Sequence, residues 1–216
     1  MSTTLVPSGA PVAASPLPLR ADLQLVADMI EPGSRVLDVG CGDGALLHYL
    51  VRSKQVDGRG IELSQEGVNA SVSLGLAVIQ GDAGTDLKDY PAHSFDYVIL
   101  SQTLQTIFDV RGVLDDLLRI GRHAIVSFPN FGYWRMRAML AITGHAPRSE
   151  KLPYDWYDSP NIRVCTIIDF LELADTMGIT IERAVMARHG RFKVADRPGW
   201  LSNLIAQEAV FLLRRD

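Results

Sequence analysis

Hydrophobic positions change their spacing repeatedly along the chain from residue 19 onwards. Short continuous apolar runs predict buried strands, whereas apolar residues that recur every three or four positions predict amphipathic helices. The runs that predict strands cover residues 35–39, 58–63, 76–80, 95–100, 123–128, 179–186 and 209–214. The segments that predict helices cover residues 19–30, 45–51, 65–74, 110–120 and 167–177. Strands and helices therefore alternate over the first 128 residues or so.

This alternation is typical of βαβ units, in which helices cover both faces of a parallel sheet. We therefore expect an α/β fold with a doubly wound, Rossmann-like and mostly parallel sheet. In such sheets ligands bind beyond the carboxyl ends of the strands, near the point where the strand order reverses. We expect residues 19–216 to form one domain and residues 1–18, rich in Pro, Ser, Thr and Ala, to form a disordered tail.

The composition excludes several classes of protein. With 216 residues, 47% hydrophobic and 21% charged, the chain can bury a core and resembles an ordinary globular protein. A net charge of −4 gives no indication of nucleic-acid binding. No apolar run reaches the ~18 residues that span a membrane. Two cysteines do not form a disulfide framework and no signal peptide is apparent, so we expect a cytoplasmic protein.

A glycine-rich turn follows the first predicted strand, where residues 36–44 read VLDVGCGDG. Gly40, Gly42 and Gly44 have no Cβ, so the backbone there can adopt positive φ and leave room for a nucleoside-bearing cofactor. The predicted helix after the turn directs its free N–H groups toward the same place. The turn therefore predicts a nucleoside-cofactor site.

Two cofactors fit this turn. The spacing Gly40-x-Gly42-x-x-Ala45 satisfies a dinucleotide fingerprint, in which Ala is allowed at the third position. Glu62 lies twenty residues beyond Gly42, where an acid can accept hydrogen bonds from both ribose hydroxyls. This pair of features does not separate NAD from S-adenosylmethionine.

Acidic residues near the turn favour S-adenosylmethionine, or its product S-adenosylhomocysteine. Asp38 and Asp43 would face the pyrophosphate of a dinucleotide at close range, where like charges repel. S-adenosylmethionine has no phosphate, and carboxylates attract its ammonium and sulfonium. Asp82, after the third predicted strand, can accept a hydrogen bond from the amine of adenine. The candidate cofactor residues are Asp38, Gly40, Cys41, Gly42, Gly44, Glu62, Leu63, Asp82, Ala83, Ser101 and Gln102.

The regular pattern breaks between residues 130 and 165, where a basic, aromatic helix and a loop are expected. The loop contains Tyr154, Trp156 and Tyr157. Trp156 and Tyr157 could cap the core while Tyr154 stays half-exposed. Alternatively, the loop could form a lid over the pocket or contact a partner, because aromatic residues are enriched at interface hot spots. Ser101 and Gln102 likewise could line the pocket or merely finish their strand. The five histidines lack metal-ligand spacing, so no metal site is expected.

These motifs resemble a known family. Residues 37–44, Glu62, Asp82 and residues 95–100 resemble the first four motifs of class I S-adenosylmethionine-dependent methyltransferases. That resemblance implies a seven-stranded sheet whose last strand is antiparallel. Three longer stretches resemble the methionine biosynthesis protein MetW: LSQTLQ at 100–105, GRHAIVSFPNF at 121–131 and LPYDWYDSPNI at 152–162.

The MetW resemblance implies a role in methionine biosynthesis together with a homoserine O-acyltransferase of the acetyl or succinyl type. It does not settle whether a methyl group is transferred. Methyltransferases that act on adenine or amide groups often carry an Asn/Asp-Pro-Pro-aromatic motif after the fourth strand. This chain reads Ser101-Gln102-Thr103-Leu104 there, which disfavours that class, and no residue stands out as a catalytic base. Two hypotheses remain: an activator of the acyltransferase that binds S-adenosylmethionine, and a small-molecule methyltransferase whose acceptor is unknown.

Overall fold

The computed structural model describes residues 19–149, 152–195 and 198–215, so the tail predicted at 1–18 lies outside the described residues. The strands are β1 Arg35–Val39, β2 Asp57–Glu62, β3 Ala77–Gln80, β4 Phe95–Ser101, β5 Gly121–Pro129, β6 Thr180–Arg188, β7 Arg191–Val194 and β8 Glu208–Arg214. The helices are α1 Ala21–Asp28, α2 Ala45–Lys54, α3 Gln65–Ser73, α4 Val110–Ile120, α5 Trp134–Thr143, α6 Ile167–Thr176 and α7 Trp200–Ile205. Short 3₁₀ turns occur at Asp86–Asp89 and Leu104–Thr106.

Within the described ranges, the strands form one sheet in the order β3-β2-β1-β4-β5-β8-β6-β7. Strands β1 to β5 pair in parallel, whereas β8 runs antiparallel between β5 and β6. The expected doubly wound, mostly parallel sheet with an antiparallel last strand is therefore confirmed. Strand β1 pairs with β2 on one side and with β4 on the other, so the sheet grows from β1 in opposite directions. The strand order therefore reverses beside β1, and a crevice opens at the carboxyl ends of these strands.

The described sheet has eight strands rather than the expected seven. The extra strand β7 forms a hairpin with β6 through His189 and Gly190, both of which have positive φ. Its four residues are exposed at the sheet edge and include two basic side chains. Because this short edge strand buries no apolar face, its sequence lacks the hydrophobic pattern that predicts a strand.

Local signals in the sequence account for several helix ends. The Ser64 hydroxyl accepts a hydrogen bond from the Gly67 amide at 3.1 Å and caps α3, and Gly75 follows this helix with a φ of +78°. Thr166 and Asp169 form a reciprocal capping box at the start of α6. Such caps satisfy backbone groups that the first and last helical turns leave unpaired.

Aromatic stacking holds α6 against the centre of the sheet. Phe170 of α6 lies 5.0 Å from Phe128 of β5 and 4.7 Å from Phe211 of β8, measured between ring centroids. All three side chains are fully buried, and each such aromatic pair contributes about 0.5–1.5 kcal/mol beyond the area it buries. The core therefore fixes the middle of the sheet and leaves the carboxyl edge free to form a site.

Candidate functional site

The glycine turn adopts the backbone conformation that its sequence predicts. Gly40, Gly42 and Gly44 have φ values of +74°, +57° and +78°. The Gly40 amide donates to the Ile61 carbonyl at 2.8 Å, so the turn is attached to the end of β2. Gly44 then precedes the first residue of α2, which places the N-terminus of that helix beside the turn.

The three glycines differ in the space that is available for a side chain. A Cβ on Gly40 would lie 2.7 Å from the Thr103 hydroxyl, and one on Gly44 would lie 2.6 Å from both Ser71 Oγ and Leu76 Cδ1. A Cβ on Gly42 would meet no atom within 4 Å. Gly40 and Gly44 therefore allow the protein to pack closely, and Gly42 is the glycine that faces open space.

Glu62 connects the turn to the loop after β2. Its Oε2 atom accepts a hydrogen bond from the Gly42 amide and its Oε1 atom accepts one from the Ser64 amide, each at 2.9 Å. Gly67 allows α3 to approach, because a Cβ there would lie 2.8 Å from Glu62 Cγ. The carboxylate is therefore held in one orientation beside the open face of Gly42, while Leu63 next to it is exposed.

Asp38 brings a second carboxyl group to the same place. It is only 2% exposed at the end of β1. Burial first, and then the charge of Glu62, raise the pKa of Asp38 from 3.8 to about 7. Removing a carboxylate from water disfavours its charged form, and a second carboxylate nearby adds to that effect. A positively charged ligand group would offset both the cost of burying the Asp38 carboxylate and its repulsion by Glu62.

The Cys41 thiol packs beneath the turn. Its sulfur lies 4.0 Å from Ser71 Oγ, and a Cβ on Gly60 would lie 2.8 Å from it. Burial and the neighbouring Asp38 raise the pKa of Cys41 to about 12, so the thiol is not a nucleophile at neutral pH. The side chain of Cys41 therefore fills space, and its backbone forms part of the turn.

Asp82 closes a tight turn after β3. Its Oδ1 atom accepts a hydrogen bond from the Gly84 amide at 2.7 Å, and its own amide donates to Asp86 Oδ2 at 2.8 Å. The hydrogen bond from the Asp82 amide is the largest of the effects that lower the pKa of Asp86. Ala83 is buried and Asp82 is exposed. Asp86 was not predicted as a site residue, although two acids that flank Ala-Gly-Thr are a recognisable turn signal.

Ser101 and Gln102 end β4 beside the turn and bond to the neighbouring strand β5. The Ser101 hydroxyl lies 3.0 Å from that of Ser127, which also accepts a hydrogen bond from the Gln102 amide at 3.1 Å. Gln102 has a φ of +55°, and its side chain donates to the Glu208 carboxylate at 3.3 Å. The polar side chains of Ser127 and Glu208 were not predicted, because each lies within an apolar strand or at its end.

Gln105 links this region to the aromatic loop. Its carbonyl accepts hydrogen bonds from the amides of Ile162 and Arg163 at 2.9 and 3.0 Å. Its side-chain amide donates to the Gln102 carbonyl at 2.6 Å. The end of the aromatic loop is thereby attached to the turn that follows β4. That turn contains Thr103, whose side chain packs against Gly40.

The aromatic residues of the loop are exposed. Trp156 is 79% exposed and Tyr157 is 66% exposed, and their rings pack edge to face at 5.7 Å. The alternative in which Trp156 and Tyr157 cap the core is therefore wrong, because the loop lies outside the sheet and its covering helices. Tyr154 is half-exposed, as that interpretation expected.

These aromatics continue onto an apolar helix surface. Trp156 and Tyr157 line a groove with Met139 and Thr143 of α5, and the same two helix residues line a second groove with Trp134 and Ile142. We call the surface formed by Trp134, Met139, Ile142, Trp156 and Tyr157 the aromatic patch. Contiguous apolar surface of this kind is typical of a contact site.

The described side chains contain no group of three or more His, Cys, Asp or Glu residues placed to hold a metal ion. Within the described ranges, no helix is long and apolar enough to cross a membrane.

Comparison with solved structures defines the class of protein. A Thermotoga maritima S-adenosylmethionine-dependent methyltransferase, described as a possible histamine N-methyltransferase, matches with a TM-score of 0.65 at 17% identity and covers 91% of this chain and 88% of its own. The magnesium protoporphyrin IX methyltransferase of Synechocystis, solved with S-adenosylhomocysteine, matches with a TM-score of 0.58 at 17% identity, over 90% of this chain and 80% of its own. The fold is that of the class I S-adenosylmethionine-dependent methyltransferases.

Comparison of sequences defines the family. The sequence model of the methionine biosynthesis protein MetW matches residues 20–213, and this chain belongs to the MetW family. A bifunctional methionine biosynthesis protein MetXA/MetW of Rhodopirellula baltica is 35% identical over 184 residues, which are 81% of this chain. The chain spans about 30% of the length of that relative.

Proposed function

We propose that this protein binds S-adenosylmethionine, or S-adenosylhomocysteine, at the carboxyl ends of β1 to β4 and acts with a homoserine O-acyltransferase in methionine biosynthesis. The observation that carries the cofactor proposal is the bond between Glu62 and the Gly42 amide, at 2.9 Å. It holds a carboxylate beside the glycine that has open space above its Cα. Each carboxylate oxygen keeps a lone pair with which to accept a ribose hydroxyl.

The charge of the site favours a cationic cofactor over a dinucleotide. Asp38, which is buried, and Glu62, which is half-buried, make the local electrostatic potential more negative. The charge of Glu62 is one cause of the raised pKa of Asp38. The ammonium of S-adenosylmethionine would pair with these carboxylates, whereas a pyrophosphate would be repelled. Asp82 and Ala83 would receive the adenine, and Ser101 and Gln102 would line the side of the site toward β4.

Thermal unfolding tests the cofactor proposal. A ligand that binds the native state alone increases the free energy of unfolding by RT ln(1 + [L]/Kd), so the midpoint of unfolding rises as the ligand concentration exceeds Kd. We expect S-adenosylmethionine and S-adenosylhomocysteine to raise this midpoint and NAD to leave it unchanged. Stabilisation by NAD without stabilisation by the other two would overturn the assignment.

The partner proposal rests on the family and on the aromatic patch. The relative from Rhodopirellula baltica combines MetXA and MetW in one bifunctional protein, and we take the MetXA part to be the acyltransferase. Two sequences that are fused in one species often act together as separate chains in another. The aromatic patch then provides the contact surface, because Trp and Tyr supply large apolar area at little cost in side-chain entropy.

Co-purification tests the partner proposal. The tagged full-length chain and the homoserine O-acyltransferase from the same genome are expressed together, and the captured complex is sized by light scattering. We expect a defined complex and an acyltransferase activity higher than that of the enzyme alone. An acyltransferase that purifies alone with full activity would contradict the proposal.

A small-molecule methyltransferase is the second candidate. A cavity between α5, the turn joining β6 to β7 and the residue before β8 lies at the same carboxyl edge of the sheet and provides room for an acceptor. Mass spectrometry of metabolite extracts incubated with the protein and methyl-labelled S-adenosylmethionine separates the two candidates. A labelled small molecule formed at a useful rate would favour this second function, and its absence would favour the first.

A further inference from the structure

A cavity of about 210 Å³ lies away from the glycine turn, beyond the end of β5. The start of α5 forms one wall, residues 148, 149 and 152 form another, and the loops at 189 and 207 close it. Its size is below the roughly 300–1,000 Å³ of sites for drug-sized ligands, so its ligand would be a small metabolite.

The walls of the cavity are cationic and rich in hydrogen-bond donors. Arg135 and Arg148 both line it, and none of the described residues around it carries a carboxylate. Arg148 is partly neutralised, because its guanidinium lies 2.8 Å from the Asp155 carboxylate outside the cavity lining. Arg135 makes no ion pair or side-chain hydrogen bond with any described residue. A bidentate guanidinium is well suited to a carboxylate.

The polar groups at the back of the cavity are held rigidly. The Asn130 side chain donates to the carbonyls of Asn203 and Ala206 at 2.7 and 2.8 Å and accepts from the Gly132 amide at 2.9 Å. The side-chain Oε1 atom of Gln207 accepts a hydrogen bond from the His189 amide at 2.8 Å, which leaves the side-chain NH₂ group of Gln207 as a donor. The wall is therefore preorganised.

Tyr133 provides an independent indication of a ligand. It lines the cavity and is only 4% exposed, yet its hydroxyl has no hydrogen-bond partner in the described structure. A buried hydroxyl without a partner is destabilising and is rare in native proteins. A bound carboxylate in the cavity would accept this hydrogen bond.

We propose that this cavity is a binding site for a small carboxylate-bearing metabolite, whose carboxylate is bound by Arg135 and the Tyr133 hydroxyl. The proposal goes beyond the cofactor site and does not depend on it. It also does not require that the ligand be a methyl acceptor.

Calorimetric titration of the full-length protein tests this proposal. The probes are acetate, succinate and L-glutamate, and succinamide is the neutral control with the shape of succinate. We expect at least one carboxylate to bind with a Kd in the millimolar range or tighter, and we expect succinamide not to bind. Failure of all three carboxylates at tens of millimolar would overturn the proposal, as would equal binding of succinamide.

Variants then locate the binding site. Arg135→Gln should weaken carboxylate binding about tenfold or more, and Tyr133→Phe should weaken it several-fold. Arg52→Gln, at an exposed position of α2, is the matched control and should bind as the wild type does. Stabilisation by S-adenosylmethionine should remain in all three variants, so failure of this proposal is distinguishable from failure of the cofactor site. Unchanged carboxylate binding in both cavity variants would place the carboxylate elsewhere and overturn the proposal.

Discussion

The Glu62 carboxylate accepts a hydrogen bond from the amide of Gly42, twenty residues earlier in the chain, at 2.9 Å. This contact joins the end of β2 to the glycine turn after β1. It orients the carboxylate at the edge of the crevice where the strand order reverses. The geometry of the candidate cofactor site therefore depends on one acid that both shapes the turn and faces the open space above it.

Substitution of Glu62 should weaken the binding of S-adenosylmethionine. Glu62→Gln keeps one oxygen that can accept a hydrogen bond and should retain weak binding, whereas Glu62→Ala removes both acceptors. Hydrogen bonds to a charged group contribute about 1.5–3 kcal/mol each, so we expect affinity to fall at least tenfold in Glu62→Ala. Isothermal titration measures the loss, and Glu66→Ala in the first turn of α3 is the control. A Glu62→Ala protein that binds as tightly as the wild type would remove Glu62 from the site.

Gly42 and Gly44 should respond differently to substitution by alanine. Gly42→Ala introduces a left-handed alanine at a cost of roughly 1–2 kcal/mol and fills open space, so we expect a modest loss of stability and a large loss of cofactor affinity. Gly44→Ala has the same backbone strain and also meets Ser71 and Leu76 at 2.6 Å. It should lower the free energy of unfolding further, as chemical denaturation would show. Equal destabilisation by the two substitutions would contradict this division.

Asp38 should make the stability of the protein without its cofactor depend on pH. Because the native state raises the pKa of Asp38 from 3.8 to about 7, the native protein keeps a proton that the unfolded chain releases between these values. The free energy of unfolding should therefore decrease as pH rises through this range, by up to about 1.4 kcal/mol per pH unit. Below the lower value, this contribution should not change with pH.

Denaturation of the wild type and Asp38→Asn across this pH range measures the effect. Because the amide does not titrate, the wild type should lose stability relative to the variant as pH increases. Asp43→Asn removes an exposed carboxylate from the same turn and serves as the control. Parallel curves for the wild type and Asp38→Asn would mean that Asp38 does not titrate in this range.

The aromatic patch should determine binding of the acyltransferase. The double variant Trp156→Ala/Tyr157→Ala removes two exposed rings, and truncation of such hot-spot residues typically costs at least about 2 kcal/mol each. We expect it to lose the partner in co-purification while its thermal midpoint stays close to that of the wild type. Trp200→Ala removes an exposed tryptophan outside the patch and should leave the complex intact. Retention of the partner by the double variant would exclude this surface.

Removal of the Tyr133 hydroxyl should stabilise the protein in the absence of a ligand. The hydroxyl is buried without a partner among the described residues, so Tyr133→Phe removes a desolvated polar group and leaves the ring packing unchanged. We expect the free energy of unfolding to increase by about 1 kcal/mol in buffers without carboxylates. Tyr157→Phe at an exposed position should have no measurable effect. A loss of stability in Tyr133→Phe would indicate that the hydroxyl already has a partner.

Much of the fold could be predicted because its determinants are local in the sequence. The strand at Arg35–Val39 and the helix at Val110–Ile120 have the bounds that the apolar pattern predicts. The Ser64 cap of α3 is likewise local, because it joins residues only three positions apart. The strand β7 could not be predicted, because its stability comes from pairing with β6 and not from burial of its own side chains. Within the site, the positive φ values of the glycines followed from residue type. The different surroundings of Gly42 and Gly44 did not, since they depend on Ser71 and Leu76 from another helix and loop.

The sequence alone determined the class of fold, the family resemblance and the place of the glycine turn, because residue type and periodicity act over a few neighbouring positions. Only the tertiary structure decided that Trp156 is exposed beside α5, that Gln105 ties the aromatic loop to the end of β4, and that Tyr133 lines a cationic cavity. These relationships join residues far apart in the chain. They arise from how helices pack on the sheet and from the burial that follows, neither of which a local pattern records.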